Sequence, residues 1–542
     1  MSENRYDYII VGAGSAGCVL ANRLTQDPSM RVLLLEAGGH DRHPLLRMPI
    51  AWTMVSSDRR FDWGYTTEPE PQLGGRRVVL PRGKVVGGSS TVNAMRYSRG
   101  HPADYDQWKQ MGLQGWGFED VLPYFKRSER SWRGEGRYHG ATGDLRVHES
   151  PVDEATYAPL AAAAKAAGYP ETEDIHGDVT EGVIRTELTV DDRGRRHSTA
   201  RAFLRTALKR PNLTMVTRAL TTRVRVEHGR AVGVDYRHDG AVIQVDASRE
   251  VILSGGAYNS PQLLMLSGIG PAGDLREHGI AVVLDQPQVG RNLAEHPIVP
   301  VVMRAKGSSA FMRHLRMDRA ALAAMRWFFT GAGPFSINGN TAGVFLRTRP
   351  ELDRPDAQLI FAATSRDAKL WWPHQAVTFS VQCSISIQNP QSRGVVTLRS
   401  ADPADAPRIR LNLFGDQSEI DTAIRAIRIA RSIYGHKDMS ALIGEELLPG
   451  SAAQTDEQLA DHVRATASTT QHPCGTCRMG ADTGSVVDPQ LRLRGLAGLR
   501  IVDASVMPTL TVGHINAPVI MIAEKAADLI KADQTEGGRA AA

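Results

Sequence analysis

Cysteine is scarce in this chain. Four thiols in 542 residues, Cys18, Cys383, Cys474 and Cys477, cannot build a disulfide framework, and a reducing compartment suits them. Cys474 and Cys477 have a redox or zinc spacing, but no second ligand pair accompanies them, so they are read as structural. An excess of one charge is also missing. The 64 basic and 59 acidic residues leave a net charge of +5, spread without a stripe, which argues against nucleic acid as a partner. No apolar run approaches the roughly 20 residues that span a bilayer, so stable membrane insertion is not expected. Strand signals begin too near Met1 to leave room for a secretory leader, and the expected location is cytoplasmic. There is no internal repeat. The length exceeds what one core organises and implies two or more domains.

What is present begins at Tyr6-Asp-Tyr-Ile-Ile-Val-Gly-Ala-Gly-Ser-Ala-Gly17. Tyr8 to Val11 reads as a buried parallel strand. Gly12 permits a tight turn, Gly14 a close backbone approach to a pyrophosphate, and Gly17 a close helix–sheet contact. The helix that follows offers free N–H groups and its positive dipole end to phosphate. Arg31 to Leu35 reads as the next strand. Glu36, nineteen residues after Gly17, is placed to accept from both ribose hydroxyls, which disfavours a 2′-phosphate. FAD and NAD present the same ADP moiety to such a unit, so this motif leaves the dinucleotide open.

Residues 40 to 62 read as a long excursion of the lid kind. Helices are expected over 119–128, 153–167 and 417–435, a β-meander over 212–254, and strands over 375–400, where Val377, Phe379 and Val381 alternate. The segment 311–332 has apolar and arginine residues in a basic amphipathic pattern and is read as a packed helix of a second domain. Trp371-Trp372 falls in an expected loop. The tail from Gln534 is polar and small and is expected to be disordered.

Three further blocks are specific. They are Gly83-Lys-Val-Val-Gly-Gly-Ser-Ser-Thr-Val-Asn93, Gly256-Ala-Tyr-Asn-Ser-Pro-Gln262 onward to Gly270, and Gln471-His-Pro-Cys-Gly-Thr-Cys-Arg-Met-Gly480 followed by Val502-Asp-Ala-Ser505 and Asn516-Ala-Pro518. With the N-terminal fingerprint they resemble the glucose–methanol–choline (GMC) family of flavoprotein oxidoreductases, in its bacterial alcohol and choline dehydrogenase branch, over residues 5 to 532.

The resemblance implies FAD and an α/β architecture, a Rossmann-like FAD-binding domain interleaved with an α+β substrate domain built on an antiparallel sheet. The expected boundaries are 1–150, 205–300 and 470–533 for the first, 151–204 and 301–469 for the second, and 534–542 for the tail. By the same resemblance Gly87, Gly88, Ser89 and Asn93 wrap the pyrophosphate and ribityl chain. Asp503 and Ala504 approach the ribityl–phosphate region, and Asn516, Ala517 and Pro518 the flavin edge. It further assigns cofactor contact to Ser15, Ala16, Ala37, Arg82, Gly83, Ala94, Met95, Thr221 and Gly256. Some family members hold FAD covalently through a histidine two residues after a Ser-Ser or Cys-Ser pair. Val92 stands in that place here, so non-covalent FAD is expected.

The implied chemistry is alcohol oxidation, with a proton leaving oxygen and a hydride passing from carbon to flavin N5. His472 matches the family's base, and its neutral imidazole accepts a proton at neutral pH. Asn516 matches the second active-site position, where an amide orients the alcohol. His514 faces the same side if the segment is extended. Choline-specific relatives place a glutamate at a position that aligns with Thr341, which points to an uncharged primary alcohol. The electron acceptor is O₂ or a quinone. Alternatives on the same scaffold are a hydroxynitrile lyase and a fatty-acid photodecarboxylase. No metal is implied, and the oligomeric state is left open.

Overall fold

The computed structural model describes residues 4–364, 369–372, 374, 375, 377 and 379–540. Two sheets organise the chain. The first has seven strands in the order Leu220–Glu227, Arg230–His238, Ala241–Leu253, Arg5–Val11, Val32–Glu36, Leu213–Thr217, with Leu499–Ile501 also paired to Ala241–Leu253. Its centre is parallel, with Ile9 opposite Val251 and Ile10 opposite Leu34. Ile9, Ile10 and Val32 to Leu35 are buried, as a strand covered on both faces requires. Helix Ser15–Leu24 makes the first crossover and packs against the last helix, Asn516–Ala540. Of the meander expected over 212–254, residues 220–253 form the antiparallel flank of this sheet, whereas Leu213–Thr217 pairs in parallel with Val32–Glu36 at the opposite edge.

The second sheet is antiparallel, in the order Ile443–Leu448, Pro297–Ala305, Ser380–Ile387, Ala357–Ala362, Asn340–Leu346, Gly182–Ile184, with Ser468–Thr469 paired to Pro297–Ala305. Its side chains alternate between two environments. Val299, Val301, Leu359, Phe361, Cys383 and Ile385 enter a core shared with helices Glu154–Ala166, Gln417–Tyr434 and Asp456–Thr466. Ile298, Ile360, Ala362, Gln382 and Ser384 face the other way, into a cavity.

Several expectations shift in detail. The strand expected within 375–400 begins at Ser380, and positions 376 and 378 lie outside the described residues. The backbone from Gln534 continues the last helix to Ala540 where disorder is expected, because a helix whose preceding turns are packed propagates cheaply. Residues 541 and 542 lie outside the described residues. The segment 311–332 contains helix Met317–Thr330. It packs Ala320, Ala323 and Trp327 inward and leaves Leu322, Met325, Phe328 and Phe329 exposed. Among the described residues no helix is long and apolar enough to cross a membrane.

Candidate active site

One cavity of about 1720 Å³ runs from the glycine turn after the first strand to the inner face of the second sheet. Its outer wall includes the 40–62 excursion, which folds into short turns and the helix Trp52–Val55. Trp52 Nε1 donates to the Asn338 carbonyl at 3.0 Å, tying this lid to the second sheet's side.

At the nucleotide end, glycine is required where backbones touch. A Cβ on Gly17 would stand 1.9 Å from the Gly12 carbonyl oxygen, and one on Gly88, at φ +54°, would stand 2.8 Å from Gly14 Cα. Gly12, Gly14, Ser15, Ala16, Glu36, Ala37, Gly83, Gly88, Ser89, Asn93, Ala94, Met95, Thr221, Gly256, Asp503 and Ala504 all line the cavity. Glu36 accepts from the N–H groups of Ala13 (2.9 Å) and Gly38 (2.8 Å). Its remaining lone pairs are free for ribose hydroxyls. Burial pushes this carboxyl up to about 7 against those two bonds. Asp503 accepts from Gly256 N (2.8 Å) and Ser260 Oγ (2.6 Å) and so fixes a second glycine turn. The buried hydroxyls of Thr221 and Ser254 have no protein partner and border the same space. This cradle of small residues, free N–H groups and orphaned hydroxyls fits a dinucleotide.

Four expected cofactor residues lie elsewhere. Gly17 sits beneath the turn, Gly87 donates its N–H to the Ala13 carbonyl (2.7 Å), and Ala517 and Pro518 are buried in the first turn of the last helix; none lines the cavity. Arg82 lines it, but its guanidinium also holds the Gln471 carbonyl (2.8 Å) and side-chain oxygen (2.9 Å). Val92 is buried with Leu46, Val55, Phe61 and Val85.

Between the two ends stand three histidines. His472 follows the edge strand Ser468–Thr469, which runs antiparallel to the segment leading into Pro297–Ala305. Ile298 pairs with Ser468 and Ala294 with Cys474, so two more residues lie between the pairs on the His472 side. Gln471, at φ +68°, absorbs the excess as a bulge and turns His472 into the cavity. Pro297 and Pro473 follow the two histidines and hold each of them extended. Glu295 clamps both segments, with Oε1 accepting from His472 N (2.6 Å) and His296 N (3.0 Å).

The ring contacts form a chain. His296 Nε2 meets the Gln388 carbonyl at 3.2 Å, and His296 Nδ1 meets His472 Nδ1 at 3.0 Å. His472 Nε2 meets His514 Nδ1 at 3.2 Å. A carbonyl only accepts, so His296 carries its proton on Nε2 and offers a lone pair at Nδ1. His472 therefore carries its proton on Nδ1, where Thr470 Oγ1 also lies at 2.9 Å, and its Nε2 is the basic nitrogen. His514 donates to it through Nδ1, and His514 Nε2 is buried without a partner. Burial holds all three below the usual histidine range, His296 at about 3 and the other two well below 6.5. On His472 the neighbouring His514, His296, Arg82 and Arg96 push the same way.

Asn516 and His514, the two expected candidates for a second active-site residue, both line the cavity. Asn516 begins the last helix, and its Oδ1 accepts from Ser15 Oγ at 2.7 Å, in the nucleotide turn. His514 occupies the place beside His472. Gln388 supports it, with Oε1 accepting from Gly513 N (2.5 Å) while its own carbonyl orients His296. Glu295, His296, Gln388, Thr470 and Arg96 are absent from the residues read out of the sequence. The His-Pro pair at 296–297, matching the pair at 472–473, is the one local signal for them. Thr341 does not line the cavity, so that position carries no information on substrate charge. Cys474 and Cys477 are buried free thiols, raised by burial, and no metal-binding cluster exists among the described residues.

Comparison with known proteins gives a family match. Models of the N- and C-terminal parts of the GMC oxidoreductase family match residues 6–298 and 390–523. The chain is 42% identical over 532 residues to an oxygen-dependent choline dehydrogenase of Sinorhizobium fredii, covering 97% of this chain and 96% of that protein. It is 42% identical over 536 residues to an alcohol dehydrogenase [acceptor] of Pseudomonas putida, covering 97% and 95%. Among solved structures, pyridoxine 4-oxidase from Mesorbium loti superposes with a TM-score of 0.87 at 31% identity, covering 96% of this chain and 98% of that one.

Proposed function

Because the chain belongs to the GMC oxidoreductase family, we propose that it oxidises an alcohol to the carbonyl compound with FAD held in the cavity. The observation that carries this reading is the hydrogen-bond chain from the Gln388 carbonyl through His296, which makes His472 Nε2 the basic nitrogen at the cavity, covered by the His514 Nδ1–H until an alcohol replaces it. When bound, FAD supplies the acceptor for the electron pair and hydrogen of the carbinol carbon, which no side chain could supply.

The protein's own part is proton and charge handling. His472 Nε2 takes the hydroxyl proton, and the imidazolium that forms is held by its Nδ1–H bonds to His296 and Thr470. The His514 Nδ1–H, released from His472 when the alcohol enters, donates to the alcohol oxygen beside it. The Gly12–Ala16 turn, Glu36, Gly83 to Met95, Thr221, Gly256 and Asp503 hold the dinucleotide, and Asn516 steadies Ser15. With Val92 in place of a histidine, the flavin is dissociable.

A cationic substrate is disfavoured. Among the described residues the acids of the cavity wall are Glu36, Asp503 and Asp405. The first two are tied to backbone N–H groups at the nucleotide end, and Asp405 accepts from Ser400 Oγ. The four reduced cysteines support a cytoplasmic location. The electron acceptor is O₂ or a quinone.

The test is an anaerobic panel of primary alcohols scored by loss of the flavin's visible absorbance, then by peroxide formation in air against dye reduction. Alcohol oxidation requires bleaching in the dark. Cyanohydrin cleavage without bleaching, or carboxylate loss only under blue light, would replace it with the lyase or the photodecarboxylase.

A further inference from the structure

Four arginine side chains are buried among the described residues: Arg96, Arg99, Arg196 and Arg500. Three have partners. Arg99 pairs with Glu129 and Arg500 with Glu250 and Asp533; Arg196 has no acid and an unpartnered Nη2, but donates to the Leu46 and Ser90 carbonyls and to Asn93 Oδ1 and does not line the cavity. Arg96 is different. It is 8% exposed, its Nη2 is buried without a hydrogen bond, and it lines the reaction cavity. No acidic side chain acts on it, and burial alone lowers it to about 9, so it remains a cation at neutral pH.

An unpaired buried guanidinium is strongly unfavourable and persists where a ligand completes it. Its location says which ligand. Arg96 follows Met95, a non-glycine residue at φ +59°, in the segment that also brings Asn93 and Ala94 to the cavity. After burial, its charge is the largest influence holding His514 below its usual range, and it acts on His472 as well. The cation therefore faces the space into which the two histidines open. Among the described residues, none of the three acids in the cavity wall neutralises it.

We propose that Arg96 receives a carboxylate carried by the alcohol, so that the preferred substrates are hydroxy acids. This rests on the alcohol-oxidation reading and specifies its substrate class. A guanidinium matches a carboxylate through two parallel N–H···O bonds, which fixes the tail of the molecule while its hydroxyl end meets His472. The carboxylate takes no part in bond making.

The experiment compares FAD-loaded wild type with R96M and R96K. Substrates are ω-hydroxycarboxylates from glycolate to 6-hydroxyhexanoate and the matching 1-alkanols. In parallel, acetate, hexanoate and benzoate are titrated against the flavin absorbance, a binding readout that needs no turnover. At the best chain length, wild type is expected to show a KM for the acid at least about ten-fold below that of the alkanol. R96M should raise the KM of the acid at least about ten-fold more than that of the alkanol, with kcat moving less, and weaken the simple carboxylates alike. R96K should recover part of both. Carboxylates that bind wild type and R96M equally overturn the proposal. So does a kcat loss shared by both series, which would put Arg96 on the reacting oxygen, or a changed flavin potential with unchanged carboxylate binding, which would make the cofactor its partner. If neither series is oxidised the alcohol reading fails, while the titration still decides for or against a carboxylate at Arg96.

Discussion

His472 owes its basic nitrogen to an oxygen it does not touch, the Gln388 carbonyl, with His296 between them. That makes His296 a positioning residue whose loss is separable from loss of the base. His296→Ala should lower kcat/KM about ten- to hundred-fold, because Thr470 alone then holds the His472 Nδ1 proton. A role in folding alone would leave the pH profile where it was; a role in orientation moves its acid limb. The position of that limb is itself an expectation. Burial, reinforced by two neighbouring imidazoles and two guanidinium groups, lowers His472, so its neutral form persists below the usual histidine range. In wild type kcat/KM should stay level from pH 8 down to about 6.5 and fall only below that. An inflection at or above pH 7 would contradict it.

At this scale the sequence named His472, His514 and Asn516 through their motifs, and all three line the cavity, but not how the last two divide their contacts. The expectation that positions 514 and 516 share a side assumes an extended backbone. The helix instead starts at Asn516, a start that Pro518 in its first turn signals, and the turn carries Asn516 to Ser15 while His514 stays with His472. Arg96 was invisible because its isolation is a property of the packed interior.

Elements rather than motifs set the angle of approach. The bulge at Gln471 depends on pairing between segments 292–298 and 468–474, far apart in sequence, and no local pattern announces it. The alternation of the second sheet was partly readable in single strands, but which face looks into the cavity was not. Away from the site, the segment after the Gly83–Asn93 block builds a buried charge cluster. His139 lies 3.0 Å from Glu129 and 2.9 Å from Asp174, with Arg99 on Glu129. Burial lowers the His139 pKa, but its bonds to Asp174 and Glu129 outweigh that and raise it to about 8. A group raised on folding from about 6.5 stabilises fully below that pH and loses its contribution as pH rises through about 8. The contribution is up to about 2 kcal/mol. The urea midpoint of wild type relative to His139→Gln should therefore fall between pH 6.5 and 8.5; a difference that stays constant over that range would remove the cluster from the account.

Across the whole molecule, the nucleotide sheet and the antiparallel sheet meet at one cavity because the chain passes between them repeatedly. Residues 5–36, 213–253 and 499–501 build the first sheet, and 182–184, 297–387, 443–448 and 468–469 the second. The fold class was legible from the glycine turn, the meander and the three long motifs. The lid at 40–62 was legible from its length, and its tie to Asn338 was not. Covalent attachment is also a matter for the whole assembly. Val92 is packed among aliphatic and aromatic side chains and offers no nucleophile. Acid or hot-alcohol precipitation should release all the yellow colour to the supernatant, and flavin left on the pellet would show a bond from another residue.

The most direct measurement is anaerobic rapid mixing of FAD-loaded His472→Ala with the best alcohol of the panel, followed at the flavin's visible maximum. With flavin content equal to that of wild type, the account predicts reduction slowed about 10²- to 10⁴-fold, the usual contribution of a general base. Reduction at the wild-type rate would contradict it and return the proton to some other group.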